Sequence, residues 1–143
     1  QFIMAGTGMK SNIKSINDAG VSFLGELTTI EDLKSLYKSL NIIVICSEYE
    51  GFPMVLMEAM PFKVVPICTN VGGISEHITN NQNGVLIDNS SNEELVNEFT
   101  KVINVFIEQD VVLKKMSEQA SSYAFSHFDI SKFNLAYKQL FNT

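Results

Sequence analysis

The chain has 143 residues, a hydrophobic fraction of 45%, a charged fraction of 18% and a net charge of −6. This length allows one domain with a real core; the composition is that of a soluble globular protein, without the run of about 18 apolar residues that a membrane span needs. Every positive charge is a Lys, which argues against the clustered cations of a nucleic-acid footprint and removes the usual bidentate clamp on phosphate.

The first residues, Gln1 to Ile3, have neither the basic nor the long apolar region of a signal peptide. Phe2 to Ala5 reads as a strand and Gly6-Thr7-Gly8 as the turn after it. The full dinucleotide fingerprint G-x-G-x-x-G is absent, so this Gly-x-Gly is weak evidence alone. A polar segment from Lys10 to Gly20 is expected to hold a short helix ended by Gly20. Val21 to Leu24 is the next strand, closed by Gly25. A helix follows from about Glu31 to Leu40, with Thr29 as its cap and Leu33, Leu36, Tyr37 and Leu40 at helical spacing.

Ile42 to Cys46 is an unbroken apolar run, as in a parallel strand covered on both faces. It leads into Ser47-Glu48-Tyr49-Glu50-Gly51-Phe52-Pro53. Pro53 suits the first position of a helix, where its missing N–H would have been unpaired anyway. That leaves the N–H groups of Met54, Val55 and Leu56 as free donors at the positive end of the macrodipole, the arrangement that receives phosphates in open α/β sheets. Gly51 lets the loop backbone approach a ligand. Glu58 falls among Leu56, Met57, Ala59 and Met60, and a carboxylate in so apolar a setting needs partners. The paired hydroxyls of a ribose would supply them. The plainer reading is that Glu50 complements the dipole and Glu58 marks a narrow solvated stripe.

Val64 to Cys68 reads as a fourth strand, in which Pro66 is awkward at a central position. The loop Thr69-Asn70-Val71-Gly72-Gly73 leads to a short helix from Ile74 to Thr79. A polar turn from Asn80 to Gly84 precedes a fifth strand, Val85 to Ile87. Three helices complete the chain, roughly Asn92 to Gln109, Val111 to Ser126 and Ser131 to Phe141. Ser91 or Asn92 caps the first of them, with Glu93 and Glu94 in its opening turn. Cys46 and Cys68 read as core thiols of buried strands in a reducing compartment, and no His/Cys spacing suggests zinc. His77 and His127 read as surface or cap residues. Alternating strands and helices imply an α/β fold, a parallel sheet with helices on both faces. The three Gly-bearing loops follow strands, so they should gather at the carboxyl edge, where such sheets bind ligands.

Glu50-Gly51-Phe52-Pro53 followed by Glu58-Ala59-Met60 resembles the E-x7-E signature of retaining glycosyltransferases with the GT-B fold, of the group 1 type. Val71-Gly72-Gly73-Ile74-Ser75-Glu76 resembles the family's Gly-Gly-x-x-Glu loop, and Asn83-Gly84-Val85-Leu86 its Asn-Gly-x-Leu turn and strand. Phe23-Leu24-Gly25 and Gly6-Thr7-Gly8 fall at the matching upstream places. The resemblance implies that the whole chain, residues 1–143, is the Rossmann-like, C-terminal donor-binding domain of such an enzyme.

On this resemblance Glu50 contacts and positions the donor sugar, and Glu58 holds the ribose hydroxyls. The backbone from Gly51 and Phe52 through Pro53, Met54, Val55 and Leu56 faces sugar and diphosphate, with Gly6, Gly8, Gly72 and Gly73 lining the same site. No metal and no cofactor are implied, the nucleotide diphosphate sugar being the donor substrate. The implied partner is an N-terminal acceptor domain of the same polypeptide, which would also carry any peripheral membrane association. The implied setting is cytoplasmic synthesis of bacterial polysaccharide or lipopolysaccharide, and the fragment alone should be inactive.

The chain departs from the pattern in having Pro61 and Lys63 where the family usually has Ala and Gly. If that glycine position demands positive φ, Lys63 is strained there; it is otherwise a solvated loop residue or a phosphate contact. Ile130 stands near where the family often has Trp. The Arg and Lys that usually hold the diphosphate, and the domain's first strand, fall upstream of Gln1. Glu76 either caps its short helix or helps hold the glycine loop. Two other readings are a nucleotide-sugar epimerase domain of GT-B type and a non-catalytic nucleotide-binding or interaction module.

Overall fold

A computed structural model describes residues 1–7 and 13–141, and its internal packing divides the chain into two units, Gln1–Lys38 and Ser39–Thr143. In the first unit β1 (Phe2–Ala5) and β2 (Val21–Gly25) pair in parallel, with Phe2 opposite Val21 and Met4 opposite Phe23. The parallel pairing requires a crossover, and α1 (Ile13–Asp18) lies on it. At the end of β2 the Gly6 N–H donates to the Gly25 carbonyl at 2.7 Å. The start of α2 (Ile30–Ser39) is fixed by Thr29, whose Oγ1 accepts from the Asp32 N–H at 3.1 Å, while Glu31 and Asp32 complement the dipole.

The second unit holds a parallel sheet of order β3-β4-β5, formed by β3 (Ile42–Ile45), β4 (Val65–Thr69) and β5 (Val85–Ile87). Its two faces follow the period-2 alternation of the strands. Val65, Ile67, Val85 and Ile87 pack with Phe99 and Phe106 of α4 (Asn92–Glu108) and Met116 of α5 (Asp110–His127). On the other face Cys68 packs with Leu56 of α3 (Met54–Ala59), Met60, Ile74, Ile78, and Ala120 and Ala124 of α5. The helix α5 thus serves both layers. Ser91 caps α4 in a capping box: the Glu94 N–H donates to Ser91 Oγ, and the Ser91 N–H to Glu94 Oε2. The last helix, α6 (Ile130–Phe141), has no buried residue. Among the described residues no helix is long and apolar enough to cross a membrane.

Three expectations change at this level. Pro66 does occupy the middle strand, and it is tolerated for a local reason. The Val65 N–H donates to the Asn41 carbonyl on the β3 side, at 2.9 Å. Alternation then turns the Pro66 nitrogen toward β5, where pairing begins only at Ile67 opposite Val85, so no ladder donor is lost. The run Ile42 to Cys46 is not covered on both faces. Val44 is 43% exposed and Cys46, just past the strand, is exposed, because β3 is an edge of this sheet. The helix expected from Ile74 to Thr79 is a 3₁₀ helix over Gly72–Glu76.

Lys63 ends the 3₁₀ turn Met60–Phe62 with φ 65°, the left-handed conformation that favours glycine. Its ammonium lies 2.6 Å from Glu118 Oε1 on α5, with both side chains more than half exposed. The strain is worth about 1–2 kcal/mol, whereas an exposed ion pair contributes about 0.2–1 kcal/mol. Glycine adds an unfolded-chain entropy cost of about 0.4–1 kcal/mol, so Lys63→Gly is expected to stabilise this unit by only about 0.2 kcal/mol, read as an unchanged or slightly higher urea midpoint. A lower midpoint would mean that the ion pair outweighs the strain.

Candidate functional site

The carboxyl ends of β3 and β4 deliver two loops that are tied together through their backbones. Thr69, fully buried at the end of β4, donates its Oγ1 hydrogen to the Ser47 carbonyl at 2.6 Å. The Gly73 N–H donates to the Gly51 carbonyl at 2.7 Å. At Gly72, φ is 56°, and a Cβ built there would lie 1.6 Å from the Glu50 carbonyl oxygen. A Cβ on Gly73 would lie 2.6 Å from the Gly51 oxygen. The two glycines are thus required by the approach of one loop to the other. Gly51 itself has open space where a Cβ would be.

Glu50 is half-buried at this junction. Burial, and after it the nearby negative charge of Glu50, push the Cys68 thiol up to about 12. Cys68 is an inert core thiol, as expected; Cys46 is not, being exposed.

Pro53 is the N-cap of α3, with φ −69° and ψ 119°, and not the first helical residue. The backbone becomes helical only at Met54. Leu56 does not offer a free donor either, since its N–H bonds the Pro53 carbonyl at 3.0 Å. The N–H groups of Met54 and Val55 have no backbone acceptor among the described residues. Phe52 is half-buried and packs on the core cluster of Leu56 and Met60.

Glu58 is exposed, which corrects the expectation of an apolar setting. Its helical neighbour at i−4 is Met54, 70% exposed; Leu56, Ala59 and Met60, adjacent in sequence, turn inward. Helical side chains tilt toward the N-terminus, so Glu58 lies over the Met54 turn on the solvent side of α3.

Of the remaining predicted residues, Gly6 belongs to the first unit, and its N–H is engaged by Gly25. Gly8 lies outside the described residues. Lys63 is paired with Glu118, and Glu76 is exposed at the end of its 3₁₀ helix. His127 is exposed at the end of α5, with Nδ1 3.0 Å from the Tyr123 carbonyl; the cap reading suits it. His77 also fits the cap reading, as the C-cap of the Gly72–Glu76 helix, but not the surface one: it is half-buried, with its ring 4.4 Å from that of Phe52.

The sequence reading also passed over Asn83, which is 4% exposed. Its Oδ1 accepts from the Thr79 N–H at 2.7 Å, and its Nδ2 donates to the His77 carbonyl at 2.9 Å. Beside it, a Cβ on Gly84 would lie 2.7 Å from Pro66 Cγ. The Asn-Gly pair was the available signal; it is a structural clasp under the end of the glycine loop.

Residues 2–124 match the family model described as "Glycosyl transferases group 1". The chain is 26% identical over 133 residues to the GalNAc-alpha-(1->4)-GalNAc-alpha-(1->3)-diNAcBac-PP-undecaprenol alpha-1,4-N-acetyl-D-galactosaminyltransferase of Campylobacter jejuni, covering 89% of this chain and 36% of that protein. It is 25% identical to the lipopolysaccharide core biosynthesis mannosyltransferase LpcC of Rhizobium leguminosarum, covering 86% of this chain and 33% of that one. Among solved structures, Anabaena HepE in complex with UDP-glucose superposes with a TM-score of 0.80 at 24% identity, over 98% of this chain and 40% of that chain. Sucrose-phosphate synthase of Thermosynechococcus elongatus gives 0.78 at 20%, over 99% and 39%. The architecture is that of the GT-B glycosyltransferases, and the chain spans about a third to two-fifths of the length of these proteins.

Proposed function

The chain belongs to the glycosyl transferases group 1 family, and from that premise we propose that it is the donor-binding domain of a retaining glycosyltransferase. The observation that carries the proposal is the pair of laced loops, Glu50–Gly51 held against Gly72–Gly73 at the strand ends, immediately ahead of α3. Ligands of open α/β sheets bind at that edge.

In this reading Glu50 contacts the sugar of a nucleotide diphosphate sugar and Glu58, exposed on α3, takes the ribose hydroxyls. The N–H groups of Met54 and Val55 face the diphosphate. As the sugar–phosphate bond breaks, positive charge develops on the sugar ring and negative charge gathers on the leaving diphosphate. Fixed N–H dipoles in a site partly shielded from water stabilise that charge without reorganising. In this reading the half-buried Glu50 complements the positive sugar with its carboxylate. Lys63 pairs with Glu118; in this reading cations for the diphosphate and the acceptor-binding wall are supplied by polypeptide outside this chain.

The relatives that build lipid-linked glycan and lipopolysaccharide favour a bacterial surface glycan as the product class, made on the cytoplasmic side of the membrane. Titration of the chain with UDP, GDP and ADP and their sugar conjugates tests the reading. One conjugate should bind and no transfer should follow; binding of none, or turnover by residues 1–143 alone, contradicts it.

A further inference from the structure

A ring cluster behind the laced loops has no part in the chemistry just described. Phe52 directly follows Gly51. Its ring lies 4.4 Å from that of His77 and 5.6 Å from that of Phe128. His77 Nδ1 is 3.1 Å from Tyr123 Oη, and Tyr123 packs edge-on against Phe128 at 5.6 Å. The His77 backbone is clamped on both sides: its N–H donates to the Ile74 carbonyl, and its own carbonyl accepts from buried Asn83. What remains to be fixed is the rotation of the imidazole, and the Tyr123 hydroxyl fixes it. Burial pushes the Tyr123 phenol above its usual range, so the hydroxyl keeps its proton at neutral pH and can sit on either side of the bond, the His77 tautomer setting which group donates.

We infer that the His77–Tyr123 hydrogen bond is a positioning device for the acidic loop, acting through the Phe52 ring on Gly51 and Glu50. The 3₁₀ helix Gly72–Glu76 then grips the loop at both ends. At its start the Gly73 N–H holds the Gly51 carbonyl; at its end His77, its C-cap residue, holds Phe52. Neither His77 nor Tyr123 touches the donor. Losing their bond frees the imidazole to rotate and lets the Gly51 peptide pivot. The Glu50 end, which reads the sugar, loosens, while Glu58 on α3 stays in place. The inference rests on the donor reading for its ligand.

The test uses Tyr123→Phe, which removes only the hydroxyl, together with His77→Phe and the double variant. Two quantities are measured on each: hydrogen exchange of the Gly73 amide, and the ratio of affinities for the nucleotide sugar and its nucleotide alone. UDP-glucose with UDP and GDP-mannose with GDP are the probes. A lost hydrogen bond of ordinary strength corresponds to a roughly fivefold effect. Gly73 protection and the sugar-to-nucleotide ratio should each fall about fivefold in Tyr123→Phe, with core amides of β4 unchanged. The double variant should fall no further than either single one, since the two residues act as one unit. Wild-type Gly73 exchange in both single variants overturns the inference, as does an unchanged sugar-to-nucleotide ratio where a probe binds. If Gly73 protection falls but the wild-type chain binds none of the UDP, GDP and ADP conjugates titrated above, the positioning stands and the donor reading fails.

Discussion

Gly72→Ala is expected to be among the most damaging single-methyl changes in the second unit. The new Cβ would lie 1.6 Å from the Glu50 carbonyl oxygen, at a φ of 56°. The obstacle is backbone, which cannot swing away as a long side chain can. Left-handed backbone costs a non-glycine residue about 1–2 kcal/mol, and forcing atoms into a filled space costs about 1–3 kcal/mol more. A loss of about 2–5 kcal/mol should appear as a lower urea midpoint, or the loops should part and the loss should appear in donor binding instead. Gly51→Ala is the control: open space surrounds that position, so its stability should stay within about 0.5 kcal/mol of wild type. A Gly72→Ala protein with wild-type stability and wild-type binding would contradict the laced-loop description.

The second large effect is expected at Glu58, on binding and not on stability. Its carboxylate is exposed, so Glu58→Ala should leave the urea midpoint nearly unchanged. Hydrogen bonds to a charged group are worth about 1.5–3 kcal/mol each. Losing one or two of them to a ribose should weaken nucleotide binding by roughly ten- to a hundredfold or more. Glu50→Gln should act differently, lowering affinity for the sugar conjugate while sparing the nucleotide alone. If Glu58→Ala binds nucleotide as tightly as wild type, the ribose assignment is wrong; if Glu50→Gln weakens nucleotide and conjugate equally, the sugar assignment is wrong.

Local signals in the sequence were sufficient for the elements themselves. β1 and β5 coincide with their predicted runs, and β2, β3 and β4 fall within one residue of theirs. Thr29 and Ser91 cap the helices they were expected to cap, because a cap is a contact between residues three apart. The helix lengths of α4 and α5 followed from the same kind of pattern.

What the sequence did not show was long-range approach. Gly72 and Gly73 read as ligand-lining residues; the space they leave is filled by the backbone of Glu50 and Gly51, some twenty positions earlier. Glu58 read as embedded because its neighbours in sequence are apolar, whereas its neighbour on the helix face is Met54. His77 read as a surface or cap residue; it is a cap, but its ring partners, Phe52, Tyr123 and Phe128, are far away along the chain and could not be foreseen. Pro66 read as awkward because only the pairing register reveals that its nitrogen faces an unpaired stretch.

The account turns on where an activated sugar docks, and amide chemical-shift mapping of the isotope-labelled chain during titration with the tightest-binding nucleotide sugar locates that place directly. The largest shifts should fall on Gly51, Met54 and Val55 and on Gly72 and Gly73. Shifts confined to the groove between β5 and α4, around Leu86, Asn97 and Lys101, with the laced loops silent, would contradict it.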